Sequence, residues 1–110
     1  MLLSTDIWVG ALVRRAELEG AFAVVARKGD TRAGAVLVKV LNRSDGTARL
    51  YAEATRLDGE RVWMQPARST AEAELDSYVE RAVRRDPDIW VVEIEDKQGR
   101  HFLTEAVEKE

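Results

Sequence analysis

A chain of 110 residues with 45% apolar and 34% charged residues has the size and composition of one folded domain, able to bury about two-thirds of its unfolded surface. Its net charge of −3 is spread over interleaved acids and bases, so no basic excess announces nucleic acid and no charged tail announces disorder. The absence of cysteine excludes disulfides and thiolate metal sites and fits a cytoplasmic protein. "MLLSTDIWVG" lacks the basic start of a signal peptide, and no apolar run nears the roughly 20 residues of a membrane helix. The expectation is a single cytoplasmic domain over residues 1–110, fraying from 104 onward.

In chain order, "DIWVGALVRR" alternates Ile7, Val9, Ala11 and Val13 against Trp8 and Leu12, which predicts a strand apolar on both faces. A helix capped by Ser4 is the alternative. "AELEGAFAVVARKG" places Leu18, Ala21, Phe22 and Val25 on one helical stripe, with Gly20 weakening the helix and Gly29 stopping it. "AVLVKVL" reads as a strand. The two Asp-Gly turns "SDGT" and "LDGE" flank "ARLYAEAT", predicting an antiparallel meander that ends in "RVWMQ".

Ser69 and Glu72 have the spacing of a capping box, and Leu75, Tyr78, Val79 and Ala82 form a helical stripe. That helix must stop near Asp86, because a proline follows. "DIWVVEIE" reads as a strand, "DKQG" as a turn and "RHFLT" as a closing strand. The expected fold is α+β: a two-layer, mostly antiparallel sheet with two helices, in the order β-α-β-β-β-α-β-β. Two helices on one face would leave Leu37, Leu41, Ile89 and Val91 against water, a patch that suggests a homodimer through the sheet's second face or an edge. One helix on each face would remove it.

No catalytic set assembles. "RRDPDIWVVEIEDKQGRHFL" contains Asp88, Glu95 and Lys97 in an order resembling a nuclease metal site. However, Asp88 and Glu95 lie seven residues apart along one extended stretch, which separates them by roughly 23 Å. One ion cannot bind both. The first acid would have to come from elsewhere, such as Asp30 or Glu53. Glu93 and Glu95 share one side of their strand, where Glu93 could pair with Arg14 or Lys39. His101 is the lone histidine, too thin a supply for zinc and without an orienting acid for catalysis.

The loop "RKGDTRAGA" gathers Arg27, Lys28, Asp30 and Arg32, which could take an anionic ligand or an acidic partner. Its glycines do not form a phosphate loop, and it follows a predicted helix C-terminus, which repels anions. Arg27, Lys28, Asp30, Arg32, Glu93, Glu95 and His101 are therefore binding candidates. No catalytic residue, metal or cofactor is expected.

"WVGALVRR", "EGAFAVVARKGD", "AGAVLVKV", "DPDIWVVEIED" and "GRHFL" occur in an order and spacing that resemble the alphaproteobacterial family catalogued as domain of unknown function 1491. The resemblance covers nearly the whole chain. It implies a compact cytoplasmic bacterial protein and carries no site residue, because the family has no assigned activity. The favoured expectation is a non-enzymatic interaction module whose partner is a second copy, an unidentified protein or a small anionic ligand. Nucleic acid and membrane are not expected. The alternative is a small carboxylate enzyme performing phosphoryl transfer or hydrolysis with a divalent metal.

Overall fold

The structure is a computed structural model and describes residues 3–108. Its first element is a helix. α1 (Thr5–Leu18) buries Thr5, Trp8, Val9, Leu12 and Ala16, a stripe at i, i+3, i+4, i+7 and i+11. The strand expected over this stretch is thereby corrected. Its alternation held only to Val13, and two of its inward members, Ile7 and Ala11, are exposed. Gly20 (φ 89°) ends α1 rather than interrupting a later helix. The Gly20 N–H reaches Glu17 O and the Ala21 N–H reaches Ala16 O, each at about 3 Å, a Schellman closure.

The helix expected next is likewise corrected to a strand, β1 (Phe22–Arg27). After Gly20 only eight residues precede Gly29, too few for a stable helix but enough for a strand rich in valine. β2 (Val36–Asn42), β3 (Ala48–Thr55) and β4 (Arg61–Met64) form the expected meander, turning at Gly46 (φ 76°) and Gly59 (φ 86°). α2 (Glu72–Arg85) ends on an extended Asp86, as Pro87 requires. The expected capping box does not form. Ser69 Oγ accepts the Ala71 N–H (3.1 Å) and donates to Glu74 (3.0 Å), leaving Glu72 free for another partner.

β5 (Trp90–Asp96) enters the middle of the sheet, giving the order β1-β5-β2-β3-β4. Among the five described strands only the β2–β5 pairing is parallel. These two central strands are covered on both faces, which explains their unbroken apolar runs. The class is α+β with a mostly antiparallel sheet and two helices. The element order is α-β-β-β-β-α-β.

The helices take opposite faces. α1 packs on Val36, Val38, Val40, Trp63, Trp90, Val92 and Ile94, whereas α2 packs on Leu37, Leu50, Ile89 and Val91. The apolar residues expected against water are therefore under α2, so the second face is covered and, of the two places expected for a homodimer, a sheet edge is left.

The closing strand over "RHFLT" is also absent. Phe102 has φ 60°, which no strand accommodates, and Arg15 holds its carbonyl through Nε (3.1 Å) and Nη2 (2.8 Å). The tail instead straps over the α1 face. Residues 105–108, within the stretch expected to fray, hydrogen-bond to Trp63 of β4. Its N–H reaches Ala106 O (2.8 Å), and its carbonyl accepts the Glu108 N–H (2.7 Å). Glu105 adds a carboxylate that accepts both indole N–H groups of the stacked pair Trp63 (3.0 Å) and Trp8 (3.3 Å).

Candidate functional site

The sequence candidates separate into three places. The first is the loop after β1. Asp30 turns it by accepting the Arg32 (3.2 Å) and Ala33 (2.9 Å) N–H groups, while its carbonyl accepts the Trp90 indole N–H (2.7 Å). The loop carbonyls meet the start of α1: Arg32 O accepts the Thr5 N–H (3.2 Å) and Thr31 O the Asp6 N–H (3.0 Å). Free N–H groups at a helix N-terminus attract negative ends of dipoles. This loop supplies them as backbone oxygens, so it caps the helix. Lys28 and Arg32 are exposed on it.

The second place is the strap. His101 Nδ1 accepts the Leu103 N–H (2.9 Å), and its ring meets Tyr51 edge-on at 5.1 Å. Burial pushes its pKa down, favouring the neutral ring that this hydrogen bond requires. His101 thus fixes the strap. Glu53, the other acid considered for a metal, accepts the Val36 N–H (2.8 Å) and meets Arg61 at 2.9 Å.

The third place is the α2 face beside β1, where Arg27 and Glu93 border one cleft and Glu95 lies at the opposite end of the β1–β5 pair, beside Phe22. α2 lies over β2 and β3, so a cleft of about 470 Å³ remains between it and the β5–β1 pair. Val79, Val83, Val91 and Ala26 line it together with Arg27 and Glu93. Arg27 donates through Nη2 to Pro87 O (3.0 Å), and its buried Nε lacks an acceptor among the described residues.

At the other end of this face, Lys39 Nζ meets Asp76 (2.7 Å), Glu72 (2.9 Å) and Glu93 (3.3 Å). Pairing of Glu93 with Lys39 was one of the two options the sequence left open. Asp76 and Glu72 were not legible as its companions, because they belong to a helix distant in sequence. The Lys39 side chain is only 6% exposed. Burial opposes its charge, but the Asp76 and Glu72 hydrogen bonds and the nearby Glu93 outweigh that and raise its pKa. Its stabilising effect is therefore complete below the ordinary 10.5 and is lost only as pH rises through the higher folded value.

Three carboxylates thus converge on an ammonium. Among the described residues no group of three or more His, Asp or Glu is placed to hold a metal ion. Lys39→Met should cost about 2 kcal/mol in urea unfolding, since it strands three partly solvated acids without a counter-charge. Glu93→Gln should cost less than about 1 kcal/mol, because Lys39 keeps two partners. Equal losses for both variants would contradict the hub role of Lys39.

What the sequence missed is β1 itself. It is an edge strand, and its exposed residues lie on both sides: Phe22 (53% exposed) and Val24 (36%) toward α2, Val25 (43%) toward α1. Leu18, at the end of α1, is 73% exposed. The opposite edge, β4, is covered by the tail. No strand adjoins the outer side of β1 among the described residues.

The molecule is thus a small α+β domain in which, among the described residues, Arg27 Nε is a buried side-chain polar atom without a partner and β1 is an uncovered sheet edge. The chain belongs to the family described as "protein of unknown function (DUF1491)", whose model matches residues 3–104. It is similar to a DUF1491 protein from Caulobacter crescentus CB15 seen in a crystal structure: 77% identity, TM-score 0.96, covering 97% of this chain and all of that one. A solution structure of a DUF1491 protein from the same organism matches at 76% identity and TM-score 0.93, over 99% of each chain. Protein Atu0922 of A. tumefaciens matches at 33% identity and TM-score 0.82, over 99% of this chain and 98% of that one. No curated protein matches. No helix among the described residues is long and apolar enough to cross a membrane.

Proposed function

We propose that this chain is a non-enzymatic interaction module of the bacterial cytoplasm that docks an extended segment of another polypeptide along the outer edge of β1. The observation that carries the reading is the asymmetry of the two edges. Folded proteins blunt an open edge with lysines, prolines, bulges or a covering segment, because its free N–H and C=O groups template further strands. β4 has its cover. β1 presents "FAVVA" with a bulge only at its far end, between Val25 and Arg27.

An added strand would gain main-chain hydrogen bonds from the edge, while its alternate side chains would meet Phe22 and Val24 on one side and Val25 on the other. The cysteine-free sequence supports the cytoplasmic assignment. A photo-crosslinking residue placed at Val25 in the native host should give a discrete polypeptide adduct. The same residue at Leu57, fully exposed in the β3–β4 turn, should give none. Equal labelling from both positions, or none from Val25, would overturn the docking role.

A further inference from the structure

We infer that the occupant of this edge is a second copy of the chain, its β1 laid antiparallel to the first about a two-fold axis through Val24. The inference rests on the docking role of β1 and adds the identity of the partner. It comes from the polarity of the strand. β1 is entered from Glu17 and Glu19 and has Glu95 beside Phe22, whereas it leaves through Arg27 and Lys28. Glu19 is 62% exposed and its ion pair with Arg100 is long, at 3.7 Å, so its carboxylate is open to a further cation, and Lys28 is exposed.

Antiparallel pairing of two identical strands sets the acidic end of each against the basic end of the other, twice over. Parallel pairing would set like against like. Pairing through a two-fold axis also closes the assembly, so the edge is consumed rather than extended into a fibre.

The register follows from size. With Val24 opposite Val24, each Phe22 lies opposite an Ala26 and each Ala23 opposite a Val25, so the largest residue of the strand meets a small one. Pairing would cover Phe22, Val24 and Val25 of both copies and run one sheet through the two protomers. Such an interface falls below the standard size for stable complexes, which predicts a concentration-dependent dimer rather than an obligate one.

Sedimentation equilibrium from low micromolar to millimolar concentration should show the mass rising from 12.4 kDa toward twice that value. Val24→Glu, at an exposed position, should weaken association at least tenfold while leaving the circular dichroism spectrum and melting temperature nearly unchanged. Glu19→Lys and Lys28→Glu should each weaken it, and the double variant should restore it, because the swapped charges meet again across the axis. A chain that stays monomeric throughout, or a double variant no better than either single one, overturns self-pairing in this register. If the protein is monomeric and the Val25 crosslink joins it to a different polypeptide, the docking role stands and the second copy is wrong. If it is monomeric and Val25 gives no adduct, both fail.

Discussion

Gly29→Ala should lower the melting temperature by about 12 °C, from a loss of about 3 kcal/mol at roughly 4 °C per kcal/mol for a domain of this size. A methyl group on Gly29 would run into the Asp88 carbonyl oxygen and stand 2.7 Å from both Ile89 C and Trp90 Cδ1. Two of those three obstacles are backbone of the segment entering the central strand, which cannot step aside. Relief would have to come from the loop, at the expense of the Asp30 N–H bond to Asp88 O (3.0 Å) and the Trp90 indole bond to Asp30 O (2.7 Å). The same loop carries the carbonyls that cap α1, so damage at Gly29 should spread to the helix start.

Gly34→Ala should behave alike, since its methyl would meet the same Asp88 oxygen. Gly10, inside α1, has nothing within 4 Å of an added methyl. Gly10→Ala should therefore stabilise by up to about 1 kcal/mol through helix propensity. Thermal unfolding of the three variants checks the set. A mild Gly29→Ala would mean that the loop is not clamped against Asp88.

This contrast shows which parts of the fold were legible. The meander could be read because its turns are decided locally, by Asp-Gly pairs whose glycines take positive φ at positions 46 and 59. The end of α2 was equally local, set by Pro87. The first thirty residues were harder, because Val9 belongs to both the alternating and the helical pattern. Continuation of the stripe to Ala16, three residues past the end of the alternation, was the available discriminator. Gly20 was visible as a defect in a helix interior, and its true place is the residue after a helix end.

The closing hairpin was misjudged for a different reason. Nothing in "RHFLT" reveals that Arg15, on another element, will fix the Phe102 carbonyl.

Of the candidate site, the Lys39–Glu93 pair could be named because both residues alternate onto the same side of their strands. Asp30 and His101, named as binding candidates, take structural hydrogen bonds in the loop and the strap. The edge character of β1 could not be read at all. Whether a strand is central or peripheral depends on strand order, and "FAVVA" on the outside carries the same letters as "FAVVA" in a core. That is why the most suggestive surface of the protein lay in a stretch read as a helix.

The turn that leads into the tail, by contrast, is built on one residue that sequence reasoning passed over. Asp96→Asn should destabilise the protein by about 3 kcal/mol at pH 7, the lower end of what breaking a buried charge pair costs, since Arg100 remains partly solvated. Asp96 is 2% exposed. Its Oδ2 accepts the Arg100 N–H (2.9 Å), Arg100 Nε (3.0 Å) and the Gln98 N–H (3.1 Å), and its Oδ1 accepts Arg100 Nη2 (2.9 Å). Every partner is a donor, so an amide nitrogen in place of Oδ2 would face donors only.

The Arg100 hydrogen bond is the main influence on this acid; burial works against it, and the backbone N–H groups of Arg100 and Gln98 assist. Together they bring its pKa from 3.8 to about 2. A carboxylate whose pKa is depressed by folding stabilises fully above its unfolded value and loses that contribution as pH falls through the folded one. The gap between wild type and Asp96→Asn should therefore be constant above about pH 4 and close as the pH falls toward 2.

Urea unfolding followed at several pH values tests this, with tryptophan emission reporting the tail, because Glu105 at its far end holds the Trp8 and Trp63 indoles. If the gap persists at pH 2, Asp96 acts through its shape rather than its charge. If emission changes at denaturant concentrations where the helices remain intact, the strap is released ahead of the sheet it covers.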